Sequence, residues 1–233
     1  MASRLLEGDA ALVTGAAQGI GRAIARAIEE EGGRVLAVDR EYDLSQPAAA
    51  KELSKHAIQT LKRVSIFVHA ASPPRMEDQT ALAVSEAQWR EMLEVNLNSG
   101  FLIAQALGNH MRENQVRGRI LFITSLHADS PRNLPHYSAA KAGQTMVMKE
   151  LARALGPSGI RVNAIVPGAV PGAGFKGSSG LAEKIPLKRL GKPEDIAPMA
   201  VAVLSQKYGG YVTGASILVD GGIALYNWLE AQG

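Results

Sequence analysis

Apolar residues fall along this chain in two alternating patterns: short continuous runs, and longer stretches with helical spacing. The run at 10–14 (AALVT) breaks into glycine at Gly15, Gly19 and Gly21. Beyond it, Ala23, Ile24, Ala27 and Ile28 recur every three or four residues, which predicts a helix over 22–31 with one buried side. Gly32 and Gly33 end it, and 34–39 (RVLAVD) reads as a second strand. A helix follows at 48–61 and a strand at 64–70 (VSIFVHA). The stretch 86–111 reads as one long helix, with Trp89, Leu93, Leu97, Phe101 and Ile103 near helical spacing. Strands at 118–125, 159–166 and 216–220 alternate with helices at 137–155 and 193–206. Pro193 opens the last helix, with Glu194 and Asp195 in its first turn. Apolar strands separated by amphipathic helices predict an α/β fold: a doubly wound parallel sheet in three layers, α/β/α, as a single domain over 1–233.

Two stretches depart from that rhythm. Only REYDLSQPAAA separates the second strand from the next helix, too little for the further helix and strand of a standard doubly wound half. Either they are absent or an irregular crossing near Asp43 replaces them. Residues 168–185 begin GAVPGAGFKGSSG and are rich in glycine and serine, which reads as a flexible substrate loop over a site.

Length and composition narrow the class. The 233 residues suit one domain with a large core, and the 46% hydrophobic and 20% charged content is ordinary for a soluble enzyme. A formal charge of +3, without a concentrated basic run, argues against a nucleic-acid partner. No apolar run reaches membrane-spanning length. The chain has no cysteine, which excludes thiolate chemistry and Cys-ligated metals and fits a reducing cytoplasm. Its five histidines form no ligand pair, so no metal is expected.

The glycine turn between a strand and a helix can cradle a nucleotide. Missing side chains let the backbone approach a pyrophosphate, and free N–H groups at the helix start attract its charge. Asp39, eighteen residues after Gly21 at the end of the next strand, can accept the ribose hydroxyls of an adenosine. Tyr137 and Lys141 lie four apart on one helix and share a face. A nearby ammonium favours the phenolate of a tyrosine, which alone is a poor base at neutral pH. Ser125, at the end of a strand, offers a hydroxyl to orient a substrate oxygen. Asn96 and Asn98 sit in mid-helix, where short amides are poor formers. Either they make a local bend, or an amide turns inward toward a proton path.

Together these residues resemble the short-chain dehydrogenase/reductase family. Thr14-Gly15-xxx-Gly19-x-Gly21, Asn96 within VNLN, Ser125, Tyr137-xxx-Lys141 and Pro167-Gly168 match its motifs. PLKRLGKPEDIA and YVTGASILVDGG resemble its C-terminal consensus. The likeness spans about residues 6–222. It implies a Rossmann-like fold and oxidoreductase activity, a hydride passing between a nicotinamide cofactor and a secondary alcohol or ketone. Asn96, Ser125, Tyr137 and Lys141 are the implied catalytic set, with Tyr137 as acid and base and Asn96 supporting a relay water. The implied cofactor contacts are Gly15, Gln18, Gly19, Ile20, Gly21, Asp39, Arg40, Asp43, Leu44, Ala70, Ala71, Tyr137, Lys141, Pro167, Gly168 and Val170. Asp39 repels a 2′-phosphate, so NAD is favoured; Arg40 keeps NADP possible.

The chain also departs from the family pattern. The usual NNAG reads His69-Ala70-Ala71-Ser72, losing an asparagine that steadies the sheet. The Ser–Tyr spacing is one residue short. The threonine that usually follows the PG motif is missing from Gly168-Ala169-Val170-Pro171, a gap that Ser178 or Ser179 could fill. These departures motivate an alternative: a non-catalytic, dinucleotide-binding or structural member of the fold. For substrate, His127, Asp129, Arg132, Asn133 and His136 are polar candidates, and Phe175 a candidate lid. The apolar stripe on the 137–155 helix and the tail residues Leu225, Tyr226, Trp228 and Leu229 suit an interface, and the resemblance implies a homotetramer.

Overall fold

The structure, a computed structural model, describes residues 4–76, 78–172, 175–177 and 179–226. Six strands form one sheet: β1 (Ala10–Thr14), β2 (Arg34–Val38), β3 (Ile66–His69), β4 (Arg119–Ile123), β5 (Arg161–Pro167) and β6 (Ser216–Val219). Their spatial order is 2-1-3-4-5-6, and every pairing is parallel. Alternation along the strands sorts the core into two layers. Leu36, Leu12, Phe67, Ile120 and Val162 face one another across the register and point to one side. There they pack against α2 (Ala49–Leu61), α4 (Ser99–Glu113) and α5 (Pro135–Leu155). Val13, Val68, Leu121 and Ile165 point to the other side and pack against α1 (Gly19–Glu30) and α7 (Pro193–Leu204). Burial on both faces is why these strands read as unbroken apolar runs.

No strand or helix lies between β2 and α2 among the described residues. The short sequence there is a deletion, and β2 becomes an edge strand with Arg34 and Ala37 exposed. The stretch near Asp43 is a tight turn closed by its own carboxylate. Asp43 accepts from the backbone and hydroxyl of Ser45 and from the Gln46 amide, which lowers its pKa.

The long helix expected over 86–111 is divided. α3 (Glu86–Leu93) leads through a π-helical turn, Glu94–Asn98, into α4. Such a turn carries one extra residue and often marks a functional position. Asn96 and Asn98 lie within it, so the poor helix formers mark a real irregularity. α5 begins two residues before Tyr137 because Pro135 fits the first helical position. The glycine-rich segment after β5 contains a bridge between Gly172 and Phe175, then a short helix, α6 (Leu181–Lys184). A last short helix, α8 (Gln206–Gly209), precedes β6. No helix among the described residues is long and apolar enough to cross a membrane.

Candidate active site

The chain turns from β1 into α1 through a loop that only glycine permits. Gly15 has φ +67°, and a Cβ there would lie 2.7 Å from the Ala70 carbonyl; one on Gly21 would strike the Gly15 oxygen at 2.1 Å. These contacts press the start of α1 against the ends of β1 and β3, where the strand order reverses and α/β proteins open a crevice. Gly19, at φ +58°, faces open space. No side chain caps the N-terminus of α1, and its first turn holds no acidic residue. Its leading N–H groups and positive dipole end are therefore available to an anion.

A cleft of about 840 Å³ runs along the carboxyl ends of the strands. Gly15, Gln18, Gly19, Ile20, Gly21, Asp39, Arg40, Asp43 and Leu44 line one part of it. Ala70, Ala71, Ser125, Tyr137, Lys141, Pro167, Gly168 and Val170 line the rest. All the expected cofactor contacts thus share one wall. Asp39 Oδ2 accepts from the Ala17 N–H at 3.0 Å, which ties the end of β2 to the glycine loop. An extended dinucleotide fits this surface: acidic group, uncapped helix start and Tyr–Lys pair lie on one continuous cleft.

Tyr137 is 5% exposed and lies in the first turns of α5. Lys141 follows one turn later, 3% exposed, and donates to the Ile123 carbonyl at 2.8 Å. Its ammonium nitrogen sits 5.5 Å from the Tyr137 ring centroid. Burial, with a smaller push from Arg75, lowers the Lys141 pKa to about 7. Ser125 lies two residues beyond β4, and its hydroxyl accepts from the His127 N–H at 3.3 Å.

Asn96 does not line the cleft. It is fully buried behind it, with its amide donating to the Met92 carbonyl at 3.1 Å. Its side-chain Oδ1 and the nearby Gln144 Oε1 are buried without a hydrogen-bond partner. Its backbone carbonyl is occupied, accepting from Gln144 Nε2 at 2.6 Å and from His69 Nε2 at 3.1 Å. His69 Nε2 also faces the Val95 carbonyl at 3.2 Å, so the ring proton resides on Nε2. Nδ1 then accepts from the Thr14 hydroxyl at 2.9 Å, and Thr14 Oγ1 accepts from the Ala70 and Ala71 N–H groups. Burial, aided by Lys141, pushes His69 down to about 3 and keeps it neutral. The histidine in the altered NNAG position is thus a buried clamp joining β1, β3 and the π turn.

The polar loop after Ser125 contributes less than its composition suggests. Its residues do not appear on the cleft wall. Asn133 accepts from the Ala81 N–H, and His136 pairs with Gln79 at 3.2 Å; both brace the segment after β3. His127 sits edge-on to Tyr137 at 4.9 Å. Burial, then Arg75, Arg132 and Lys141, lower its pKa to about 3. Ser178, a candidate for the missing threonine, lies outside the described residues, as do Trp228 and Leu229. Arg75, Glu91 and Thr124 line the cleft without belonging to any motif. Arg75 announces itself in the sequence only as a cation after Pro73-Pro74 in the loop leaving β3.

Comparison with known proteins agrees with this geometry. The model for short chain dehydrogenases matches residues 9–42, and that for enoyl-(acyl carrier protein) reductases matches residues 40–224. Glucose 1-dehydrogenase 2 of Bacillus subtilis is 32% identical over 253 residues, covering 95% of this chain and 96% of that protein. The 3-ketoacyl-(acyl-carrier-protein) reductase of Brucella melitensis, solved with NADH, superposes with a TM-score of 0.87 at 30% identity, covering 94% of this chain and 99% of the other. A Beutenbergia cavernae structure titled as a candidate NAD(P)-dependent gluconate 5-dehydrogenase, holding NADP at low occupancy, gives 0.85 at 29%, covering 96% and 99%. The chain belongs to the short-chain dehydrogenase/reductase family of NAD(P)-dependent oxidoreductases.

Proposed function

We propose that this chain oxidises a secondary alcohol, or reduces the matching ketone, with Tyr137 as acid and base. The observation that supports it is the single cleft that holds Asp39, the uncapped start of α1, Lys141, Tyr137 and Ser125 together. When bound, the nicotinamide supplies the hydride acceptor or donor. In oxidation the Tyr137 oxygen takes the alcohol proton; in reduction it returns it. Ser125 Oγ orients the same substrate oxygen. Lys141, fixed by the Ile123 carbonyl, places a cation beside the tyrosine and would bond the nicotinamide ribose. Asn96 Oδ1 and Gln144 Oε1 are the buried acceptors suited to a relay water behind Lys141.

The preferred cofactor is NAD. Asp39 meets the ribose hydroxyls and disfavours a phosphate, against the offsetting charge of Arg40. Asp39→Ala raises the KM for NAD about tenfold or more, a loss of one or two charge-assisted hydrogen bonds, while kcat at saturating cofactor changes little. An unchanged KM contradicts the assignment of Asp39. The working form is a homotetramer in a reducing cytoplasm, and the segment after β5 serves as its substrate loop. A screen of purified protein against alcohols with NAD and ketones with NADH, followed by NADH absorbance, tests the reading. Turnover of a secondary alcohol or its ketone supports it; dinucleotide binding without any turnover favours a binding or structural role.

A further inference from the structure

Arg75 stands out because its guanidinium lies over the Tyr137 ring and none of the ion pairs among the described residues uses it. It is half-buried in the loop after β3, and its guanidinium carbon lies 4.6 Å from the Tyr137 ring centroid. The Phe175 ring, from the segment after β5, lies 5.6 Å from the same carbon. Two aromatic rings therefore flank the guanidinium through cation–π contacts, and a guanidinium's N–H donors suit planar acceptors. Arg90–Glu86, Arg119–Asp9 and Arg189–Asp195 are ion pairs among the described residues, and none of them uses Arg75. The surrounding charge is positive as well. Arg75, Arg132 and Lys141 all act on His127, and burial keeps that ring neutral rather than cationic. The one described carboxylate on this part of the wall, Glu91, is exposed at the rim of the cleft. A half-desolvated guanidinium with no carboxylate partner among the described residues is costly to build, and a bidentate carboxylate partner offsets that cost.

We propose that Arg75 binds a carboxylate of the substrate, so that this enzyme acts on short hydroxy acids or oxo acids. The inference rests on the reading of Tyr137 as the group that meets the substrate oxygen. The short span from Arg75 to the Tyr137 ring places the carboxylate within two or three carbons of the reacting carbon. Arg132 does not line the cleft, and one guanidinium matches the single charge of a carboxylate better than the double charge of a phosphate monoester, which calls for a second cation. Lys141 is already held by the Ile123 carbonyl.

The test is calorimetric titration of the enzyme–NAD complex, which holds no hydride to transfer to a ketone, with pyruvate, acetoacetate and levulinate, each against its neutral amide. Turnover in the alcohol and ketone screen is read first, so a failure of the functional reading shows itself as absent turnover before any acid is titrated. The expected result is that at least one acid binds tenfold or more tighter than its amide. Arg75→Met, confirmed as folded by circular dichroism, collapses that ratio to near one, and Arg75→Lys retains part of it. Equal binding of acids and amides overturns the proposal, as does an acid preference that survives in Arg75→Met. A purely structural strap between Tyr137 and Phe175 weakens acid and amide alike in Arg75→Met and leaves their ratio intact, which also overturns it. Dihydroxyacetone phosphate binding more tightly than every acid, again through Arg75, contradicts the carboxylate assignment.

Discussion

Lys141 shows how far a single side chain is set by its surroundings. A lysine in an unfolded chain titrates near 10.5, and burial in this cleft lowers it to about 7. Between those values the unfolded chain binds more protons than the folded one, so stability rises with pH across that window. Below about pH 7 both states carry the proton and the full cost of burying the ammonium is present; above 10.5 neither does and the cost is gone. Lys141→Met removes this dependence. Denaturant unfolding of both proteins between pH 7 and 10 is expected to show wild type gaining on the variant by up to about 1.4 kcal/mol per pH unit. A difference that stays flat contradicts the buried, downshifted lysine. The spacing of Tyr137 and Lys141 and the acid at Asp39 were legible because each is fixed by local periodicity at a strand end or on a helix face. Arg75 was not. Its importance arises when two loops distant in sequence converge on one ring, and nothing local encodes that.

Among the elements, the π turn and the strands it meets form the least regular joint of the fold. His69 fills it, and Gly100 of α4 makes the room: a Cβ at Gly100 would lie 2.8 Å from His69 Cδ2 and 2.9 Å from Nε2. Phe67 and Phe122 pack around the same ring. Histidine and glycine are thus matched parts. His69→Asn removes ring volume and hydrogen bonds to buried groups, and costs about 2–3 kcal/mol. Gly100→Ala costs about 1–3 kcal/mol through overpacking against the ring. The double variant is expected to be more stable than the sum of the single changes, because the added methyl enters space the ring has left. Chemical denaturation of all four proteins measures this, and strict additivity contradicts the matched fit. The sequence marks this joint through its two mid-helix asparagines and its unusual HAAS. It does not disclose that the two irregularities touch, since they lie on different elements. The missing strand was the easier inference, because the eleven residues of REYDLSQPAAA cannot hold a helix and a strand whatever the context.

On the scale of the whole molecule, the sheet is closed at neither edge and apolar side chains remain in solvent. Leu102 is 41% exposed and Met146 56%, on α4 and α5; Leu218 on β6 is 55% and Leu225 beyond it 68%. Two separate faces of this kind suit a tetramer of twofold symmetry. Light scattering is expected to report about four times the 24.6 kDa chain mass, and deletion of residues 224–233 to leave dimers. A monomer at micromolar concentration contradicts the assembly, and an unchanged tetramer after deletion contradicts the role of the tail. The account as a whole rests on one claim, that the cleft binds a dinucleotide and that Tyr137 moves the substrate proton within it. Tyr137→Phe, measured for NAD binding by calorimetry and for turnover of whichever alcohol or ketone the wild type accepts, tests that claim most directly. The predicted result is NAD affinity within a few fold of wild type and turnover lowered by at least about a hundredfold. Turnover that persists at the wild-type rate in Tyr137→Phe would contradict the claim.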